Sequence, residues 1–525
     1  MTLARFSWRQ LWKGALIWAV AIAVIVASGV QTFDSAYPTA AGRMAFAQSI
    51  GRLPAFQALY GQSVAVDTVG GFLTWRYGDL MTVVLGLWAL LVVTRMTRGD
   101  EDAVRADMVV AGQVSPRRLL GVQIAALVAG CGLVMAVVTL AGIANGLPVG
   151  GSVLFGFMVA SGGLVFGAIA ACTSQLMGTR RRAAGWAGAV LGGAYLLRAL
   201  ADGSADLKWL QWVTPLGWSE RIEPFTGASL LPVVVIVVAS AALVALALAL
   251  RERRDTGEGL IGEREGRVRP RSLGSALALD WTLSTGGLVA WACGVLVGLF
   301  VLGYLTRDMV VFAQDNPTID EMLVKIFGYS MTSPSGFLSV SFTVVAVVLA
   351  VYAGTHMLSA REEEAARRAD AMLVAGTSRL RWLASRVTIA LGAMVVLAVV
   401  AAVGAWIGVA ASGASVTLGD ALAASFNVIP AALLFGGLAV LAFGVVPRAT
   451  AYVAFGAVAG SYLVQIVGGL SAAPSWLVKV SPFSHIAPVP AAPVDATATL
   501  VMLAIAVLST LVGLVAFDRR DVATD

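Results

Sequence analysis

Residues 97–120 read TRGDEDAVRADMVVAGQVSPRRLL, and residues 359–383 read SAREEEAARRADAMLVAGTSRLRWL. Each opens on acidic residues, continues with a helical pattern, closes on a glycine and leads through further arginines into an apolar run. Glu101-x-x-x-Arg105-Ala106-Asp107 in the first becomes Glu364-x-x-x-Arg368-Ala369-Asp370 in the second, and Val110-Ala111-Gly112 becomes Val374-Ala375-Gly376. The duplication extends outward. Gly71-Phe72-Leu73-Thr74 returns as Gly336-Phe337-Leu338-Ser339, and Trp209-Leu210-x-x-Val213-Thr214-Pro215 returns as Trp476-Leu477-x-x-Val480-Ser481-Pro482. The offset stays between 263 and 267 throughout, a register that chance matches do not keep.

Between these landmarks the chain is apolar. Hydrophobic residues make up 58% and charged residues 13% of the 525 positions, against roughly a quarter charged in globular proteins. Runs of about 20 apolar residues span a bilayer as helices. Twelve such runs fall near 14–32, 78–96, 119–144, 150–177, 183–201 and 228–250, then 283–305, 337–358, 385–411, 420–446, 449–469 and 496–517. None alternates like a strand, and backbone groups in lipid must be satisfied internally. The fold class is therefore all-α integral membrane. An even number of spans per half gives two six-helix repeats of the same orientation, a parallel repeat. The expected domains are a first half at 1–250, a charged cytoplasmic linker at 251–277 and a second half at 278–525.

Orientation follows from the basic residues. The N-terminus, the 2–3, 4–5, 8–9 and 10–11 loops, the linker and the C-terminus hold 27 of the 36 lysines and arginines. The positive-inside rule makes that face cytoplasmic. The chain is expected in a bacterial cell membrane with both termini inside. Arg5, Arg9 and Lys13 precede a run long enough to span, so the start reads as a first span rather than a cleaved signal. The stretch RFSWRQLWKG at 5–14 also has the aromatic and basic alternation of a helix lying in the interface.

Several chemistries are excluded. The only lysines, Lys13, Lys208, Lys325 and Lys479, are followed by Gly, Trp, Ile and Val, so no phosphate-cradling loop exists and no enzyme activity on ATP is expected. His356 and His485 lie far apart and the three cysteines sit singly in apolar runs, so no metal site or disulfide framework is expected. Nothing suggests a nucleic-acid partner. Ionisable residues are scarce within the spans, with Asp79 and Asp420 at span ends and Arg198 near the outer end of span 5. Ion coupling, which needs such groups, therefore has little support.

What remains is the acidic-start segment. Glu101 with Arg105, and Glu364 with Arg368, are spaced to share one helix face. Met108, Val109 and Val110 lie beside the first pair. A short amphipathic helix across the cytoplasmic mouth is a docking element for a soluble partner, with Glu101, Arg105, Asp107, Glu364, Arg368 and Asp370 as its candidate residues. At the other face, residues 34–76 and 307–335 form larger extracytoplasmic elements. Trp209 and Trp476 read as headgroup-level anchors, and Pro215 and Pro482 as stops of short interfacial helices. Phe72, Tyr195, Phe337 and Tyr462 are candidate lining residues of a translocation path.

Together these features resemble the ABC-2 type exporter permeases, in particular the fused twelve-span actinobacterial permeases of the tetronasin-resistance type, which export polyketide antibiotics. The resemblance covers essentially the whole chain. It implies two copies of a separate ABC ATPase subunit docked on the segments Glu101 to Gly112 and Glu362 to Gly376, with ATP and magnesium bound by that partner and no cofactor in this chain. It also implies export of bulky amphipathic, hydrophobic small molecules from membrane lipid. Two other readings stay open. An ion-coupled secondary multidrug transporter of the facilitator type would carry Gly-x-x-x-Asp-Arg-x-Gly-Arg after span 2, which TRGDEDAVRAD does not match. A lipid-linked membrane enzyme would want paired acids in the first outer loop, where Asp34 and Asp67 stand alone.

Overall fold

Lipid offers the backbone no hydrogen-bond partner, and the chain answers with helices. The computed structural model describes residues 3–50, 57, 60–103, 105, 114–203, 205–255, 257–261, 275–365, 367–374, 376–470 and 475–520. Among these no strand forms, and twelve helices are long and apolar enough to cross a membrane. The chain divides into two compact units, Met1–Gly266 and Arg267–Asp525. Unit 1 holds spans 1 to 6: Leu3–Ala36, Val69–Asp102, Pro116–Ala144, Val149–Leu176, Arg180–Gly203 and Leu230–Glu252. Unit 2 holds spans 7 to 12: Ala276–Tyr304, Pro334–Ala365, Arg379–Ala411, Leu418–Val445, Pro447–Ile466 and Ala496–Arg519.

Within unit 1, spans 2 and 4 form the centre. In their apolar stretches 67% and 72% of residues are buried, against 11% in span 6, whose leucines and valines are left to lipid. Spans 8 and 10 are the buried pair of unit 2. Where helices touch, small residues let backbones close up, as membrane helices require without a hydrophobic drive between them. Gly444 of span 10 meets Gly513 of span 12 in this way.

Span 1 corrects one expectation. The stretch at 5–14 is not a separate interfacial helix but the first turns of one helix from Leu3 to Ala36. The reason is a continuous buried stripe: Ser7, Leu11, Ala15, Ala19, Ile22 and Val26 recur at three- and four-residue steps across the supposed junction.

Span 2 is longer than its hydropathy suggests and is interrupted twice by π-helical turns, at Thr74–Gly78 and Arg95–Gly99. Each π turn accommodates an extra residue, and the sequence repeat records both. The offset is 265 at Gly71/Gly336, 264 at Val83-Val84-Leu85/Val347-Val348-Leu349 and 263 at Glu101/Glu364. One residue is absorbed at each turn. Span 8, its counterpart, is α-helical throughout. Side chains bond to carbonyls of both turns: Gln123 of span 3 donates to the Met96 carbonyl at 2.6 Å, and Thr82 of span 2 itself to that of Gly78 at 2.8 Å.

The repeated motifs are explained by caps and close approaches. Thr68 accepts from Gly71 N and Ser333 from Gly336 N, each opening its span. A Cβ on Gly71 would lie 2.0 Å from the Ala65 carbonyl oxygen, and one on Gly336 2.1 Å from that of Ser330. Only glycine fits either place. Ser115 and Ser378 likewise cap spans 3 and 9. Gly376, at φ +90°, closes the helix Arg368–Val374 with Thr377 N bonded to the Met372 carbonyl. The short helices carrying Trp209 and Trp476, Ala205–Trp212 and Ser475–Lys479, end just before Pro215 and Pro482, and each proline also starts a further short helix at its first turn, where the missing N–H costs nothing.

Gly71→Ala is expected to destabilise the purified chain by about 1–3 kcal/mol, because the obstructing atom is backbone. Gly132→Ala, which faces open space in span 3, is the control. Equal thermal midpoints for the two variants would refute the close-approach argument.

The start of the charged linker is packed onto unit 1. Arg251 and Arg254 are buried, and Leu260 N and Ile261 N bond back to the Gln175 and Leu176 carbonyls at the end of span 4. Arg264, Arg267, Arg269 and Arg271 fall outside the described residues.

Candidate functional site at the arginine-rich ends

Spans 2 and 8 both end in three acids, Asp100-Glu101-Asp102 and Glu362-Glu363-Glu364, and in each run an adjacent pair, Asp100-Glu101 or Glu363-Glu364, engages the rest of its unit. Adjacent residues on a helix point about 100° apart, so the two acids of each pair address different neighbours.

In unit 1 Glu101 turns inward, its side chain only 6% exposed. It receives Arg254 in a two-pronged contact at 2.6 and 2.8 Å and Arg98 at 2.6 Å, with Arg251 at 3.7 Å. Arg98 is fully buried and also donates to the carbonyls of Gly178 and Gly257. Arg254 reaches Gln175 at 2.8 Å. The carboxylate thus ties the end of span 2 to the ends of spans 4 and 6. Its neighbour Asp100 accepts from Gln10 of span 1 at 3.0 Å and from Arg105 at 2.8 Å.

Unit 2 repeats the plan. Glu364 is buried and accepts Arg520, just past span 12, at 2.8 and 2.9 Å. Glu363 pairs with Arg386 of span 9, which also holds Asp280 of span 7 at 2.9 Å. The acid at the end of the second span of each unit therefore grips an arginine beyond the last span. The partners, Arg254 and Arg520, are separated by 266 positions, within the repeat register.

This overturns the expected pairing. Glu101 does not pair with Arg105, nor Glu364 with Arg368; the glutamates are internal clamps. Burial decides the matter, because a carboxylate withdrawn from water needs several donors and the exposed arginines one turn on do not follow it inward. Arg105 and Arg368 stay exposed and Asp370 is half-buried. Asp107 lies outside the described residues, as do Ala106, Met108 to Gly112 and Ala375.

The aromatic candidates disperse. Phe72 is buried against Phe33 at 5.0 Å and Phe46 at 5.9 Å. Phe337 is also buried in its own unit. Tyr462 is half-buried, edge-on to Phe483 at 5.8 Å. Trp209 and Trp476 both present exposed indoles. Tyr195 packs against the Arg198 guanidinium at 4.8 Å, which leads to a cluster the sequence reading missed.

Asp79 lies well inside span 2, directly after the first π turn, rather than at a span end. Arg198 of span 5, fully buried, bridges Asp202 at 3.1 Å and Asp79 at 3.4 Å. Gln211 donates to Asp202 at 2.6 Å, and Gln62 N donates to Glu220. Burial and the neighbouring Asp202 raise the Glu220 carboxyl well above its ordinary range, against the pull of Arg198. The scarcity of ionisable groups within spans therefore does not hold for unit 1. The legible signal was Arg198-x-x-x-Asp202, a one-turn charge pair in an otherwise apolar run. At the corresponding positions of the second half stand Thr343, Gln465, Gly469 and Ala487, so unit 2 lacks these charges.

Comparison with known proteins agrees with the architecture. The family model described as multidrug efflux system permease Rv1217c, C-terminal domain, matches residues 2–250 and 273–518. The chain is 32% identical over 519 residues to the multidrug efflux system permease protein Rv1217c of Mycobacterium tuberculosis, covering 98% of this chain and 92% of that protein. With twelve apolar helices, acid–arginine clamps at matching places in both units and a match along nearly its whole length, the chain is a multi-pass membrane permease belonging to the Rv1217c multidrug efflux permease family.

Proposed function

We propose that this permease is the membrane subunit of an ATP-driven exporter of the ABC-2 type, moving bulky amphipathic compounds such as polyketide antibiotics or drugs. Its arginine-rich ends face the cytoplasm, and two copies of a separate ATPase bind there, holding ATP and magnesium. The observation that carries this reading is the duplicated clamp of Glu101 on Arg254 and Glu364 on Arg520. A force applied at the end of span 2 or 8 passes through a buried ion pair to the end of span 6 or 12. Two ATPase subunits closing on each other need two such receivers, and the chain supplies one per unit. The relative's printed description as a multidrug efflux permease supports the cargo class.

The test is reconstitution. The chain alone is expected to show no ATP hydrolysis, and transport in vesicles is expected only with an ATPase bearing phosphate-loop motifs. The buried carboxylates of spans 2 and 5 favour one second reading, an ion-coupled exporter. Transport by the chain alone under a pH gradient, without ATP, would select that reading and discard the first.

A further inference from the structure

The charged cluster of unit 1 borders a cavity of about 290 Å³, near the lower end of the size of small-molecule sites. Its lining includes Asp79 and Glu220 together with the rings of Tyr60, Trp75 and Phe225. Asp79 is 4% exposed, and its Oδ1 is a buried atom with no hydrogen-bond partner among the described residues; the same holds for Glu220 Oε2. Three carboxylates, Asp79, Asp202 and Glu220, surround one buried guanidinium, Arg198. Fully ionised, the group carries two uncompensated negative charges away from water, which a protein does not tolerate without a counter-charge. The other charged or titratable groups facing the cavity or cluster are Lys208, Arg221, Glu223 and the hydroxyls of Tyr60 and Tyr195. Lys208 is exposed, Arg221 is engaged by Gln211 and the Trp212 ring, and Arg76 sits over Tyr60. None of these cations is within ion-pair distance of Asp79 among the contacts present.

We propose that this cavity binds an organic cation bearing an aromatic group, its charge held by the Asp79 and Glu220 carboxylates and its body by the rings of Tyr60, Trp75 and Phe225. Aromatic rings and carboxylates together are the chemistry that recognises alkylated ammonium groups. The π turn at Thr74–Gly78 fits this role, because the extra residue re-aims Asp79 relative to the α-helical register kept by span 8. The α-helical counterpart has Thr343 at the matching position and no such cluster. In the empty site a proton serves as the counter-charge, and Glu220, whose carboxyl is raised, holds it. A bound cation displaces that proton. Binding therefore strengthens as the pH rises, by up to about tenfold per pH unit while one proton is released per cation. The assignment names a cargo class for the permease reading and rests on it for physiological purpose. The binding itself is measured on the full chain without an ATPase, so either idea can fail alone.

The probe is benzyltrimethylammonium, titrated calorimetrically into the full-length chain in lipid nanodiscs, with benzenesulfonate as the anionic counterpart. Saturable binding of the cation is expected, tighter at about pH 8 than at about pH 5.5, with no comparable binding of the sulfonate. Asp79→Asn should weaken it at least tenfold. Glu220→Gln, which mimics the protonated acid and keeps its hydrogen bond from Gln62, should weaken it and flatten the pH dependence. Asp420→Asn, in an exposed cap of unit 2, should change nothing. Binding of the sulfonate in place of the cation overturns the proposal, as does cation binding unaffected by either cavity variant. If neither variant folds, wild-type binding that fails to strengthen with rising pH is sufficient to overturn it.

Discussion

Glu101→Ala is expected to cost the permease about 3–5 kcal/mol, the range for breaking a buried ion pair from one side. Three arginines converge on this carboxylate: Arg98 and Arg254 at 2.6 Å and Arg251 at 3.7 Å. Removing it leaves their charges facing one another with no anion between them. Arg98 retains the Gly178 and Gly257 carbonyls, and Arg254 retains Gln175 and the Glu258 carbonyl, so hydrogen bonding survives while charge balance does not. The loss should therefore fall toward the lower end of the range. Arg105→Ala removes an exposed arginine from Asp100, which is buried but keeps its bond from Gln10, and should cost less, about 1–2 kcal/mol. Thermal unfolding of the two variants in the same detergent measures the contrast. Similar midpoints would mean that Glu101 is not the clamp. Glu364→Ala should behave like Glu101→Ala but more mildly, since its partner Arg520 is partly exposed.

The contrast also shows which parts of the molecule could be read from sequence. The twelve spans were legible because a run of about 20 apolar residues leaves few alternatives. Their ends were not, because spans 2 and 8 continue into charged residues that only buried partners make tolerable. Arg98, Asp100 and Glu101 lie inside the helix of span 2, yet hydropathy excludes them. The two π turns were recorded in the offset falling from 265 to 263, but a drifting offset reads equally as a loop difference until the backbone is known. The pairing of Glu101 was misread for a different reason. The one-turn rule offers Arg105, whereas Arg254, 153 residues away, reaches it. A local rule worth a few tenths of a kcal/mol gives way to a buried, two-pronged contact. The cluster around Arg198 was half legible. Arg198 and Asp202 announce themselves one turn apart, but Asp79 joins them only through the packing of spans 2 and 5, and Glu220 only through the short helix Pro215–Glu220 that packs against those spans.

With the glutamates turned inward, the charges left to meet the proposed ATPase are the exposed ones, and the double variant Arg105→Glu, Arg368→Glu is expected to release it. Arg105 lies beyond the clamp of unit 1 and Arg368 opens the helix Arg368–Val374 beyond that of unit 2. Both arginines are solvent-exposed, so reversing them leaves the buried pairs of Glu101 and Glu364 intact; stability should fall by no more than about 1 kcal/mol at Arg368 and somewhat more at Arg105, whose reversal also sets a like charge beside the buried Asp100. At an interface the same change is more severe. A favourable pair becomes a like-charge contact, which costs several kcal/mol when desolvated. In the proposed complex, with one ATPase copy on each unit, affinity should fall on the order of tenfold for one reversal and a hundredfold or more for both. Capture of the ATPase from a co-expressing cell by the tagged permease reads the first effect, and drug-stimulated ATP hydrolysis in the reconstituted complex reads the second. A stable double variant that still retains the ATPase and exports at the wild-type rate would remove these arginines from the docking surface. The reverse pattern discriminates as well: Glu101→Ala should lose the partner only together with the fold, whereas Arg105→Glu, Arg368→Glu should lose it with the fold intact.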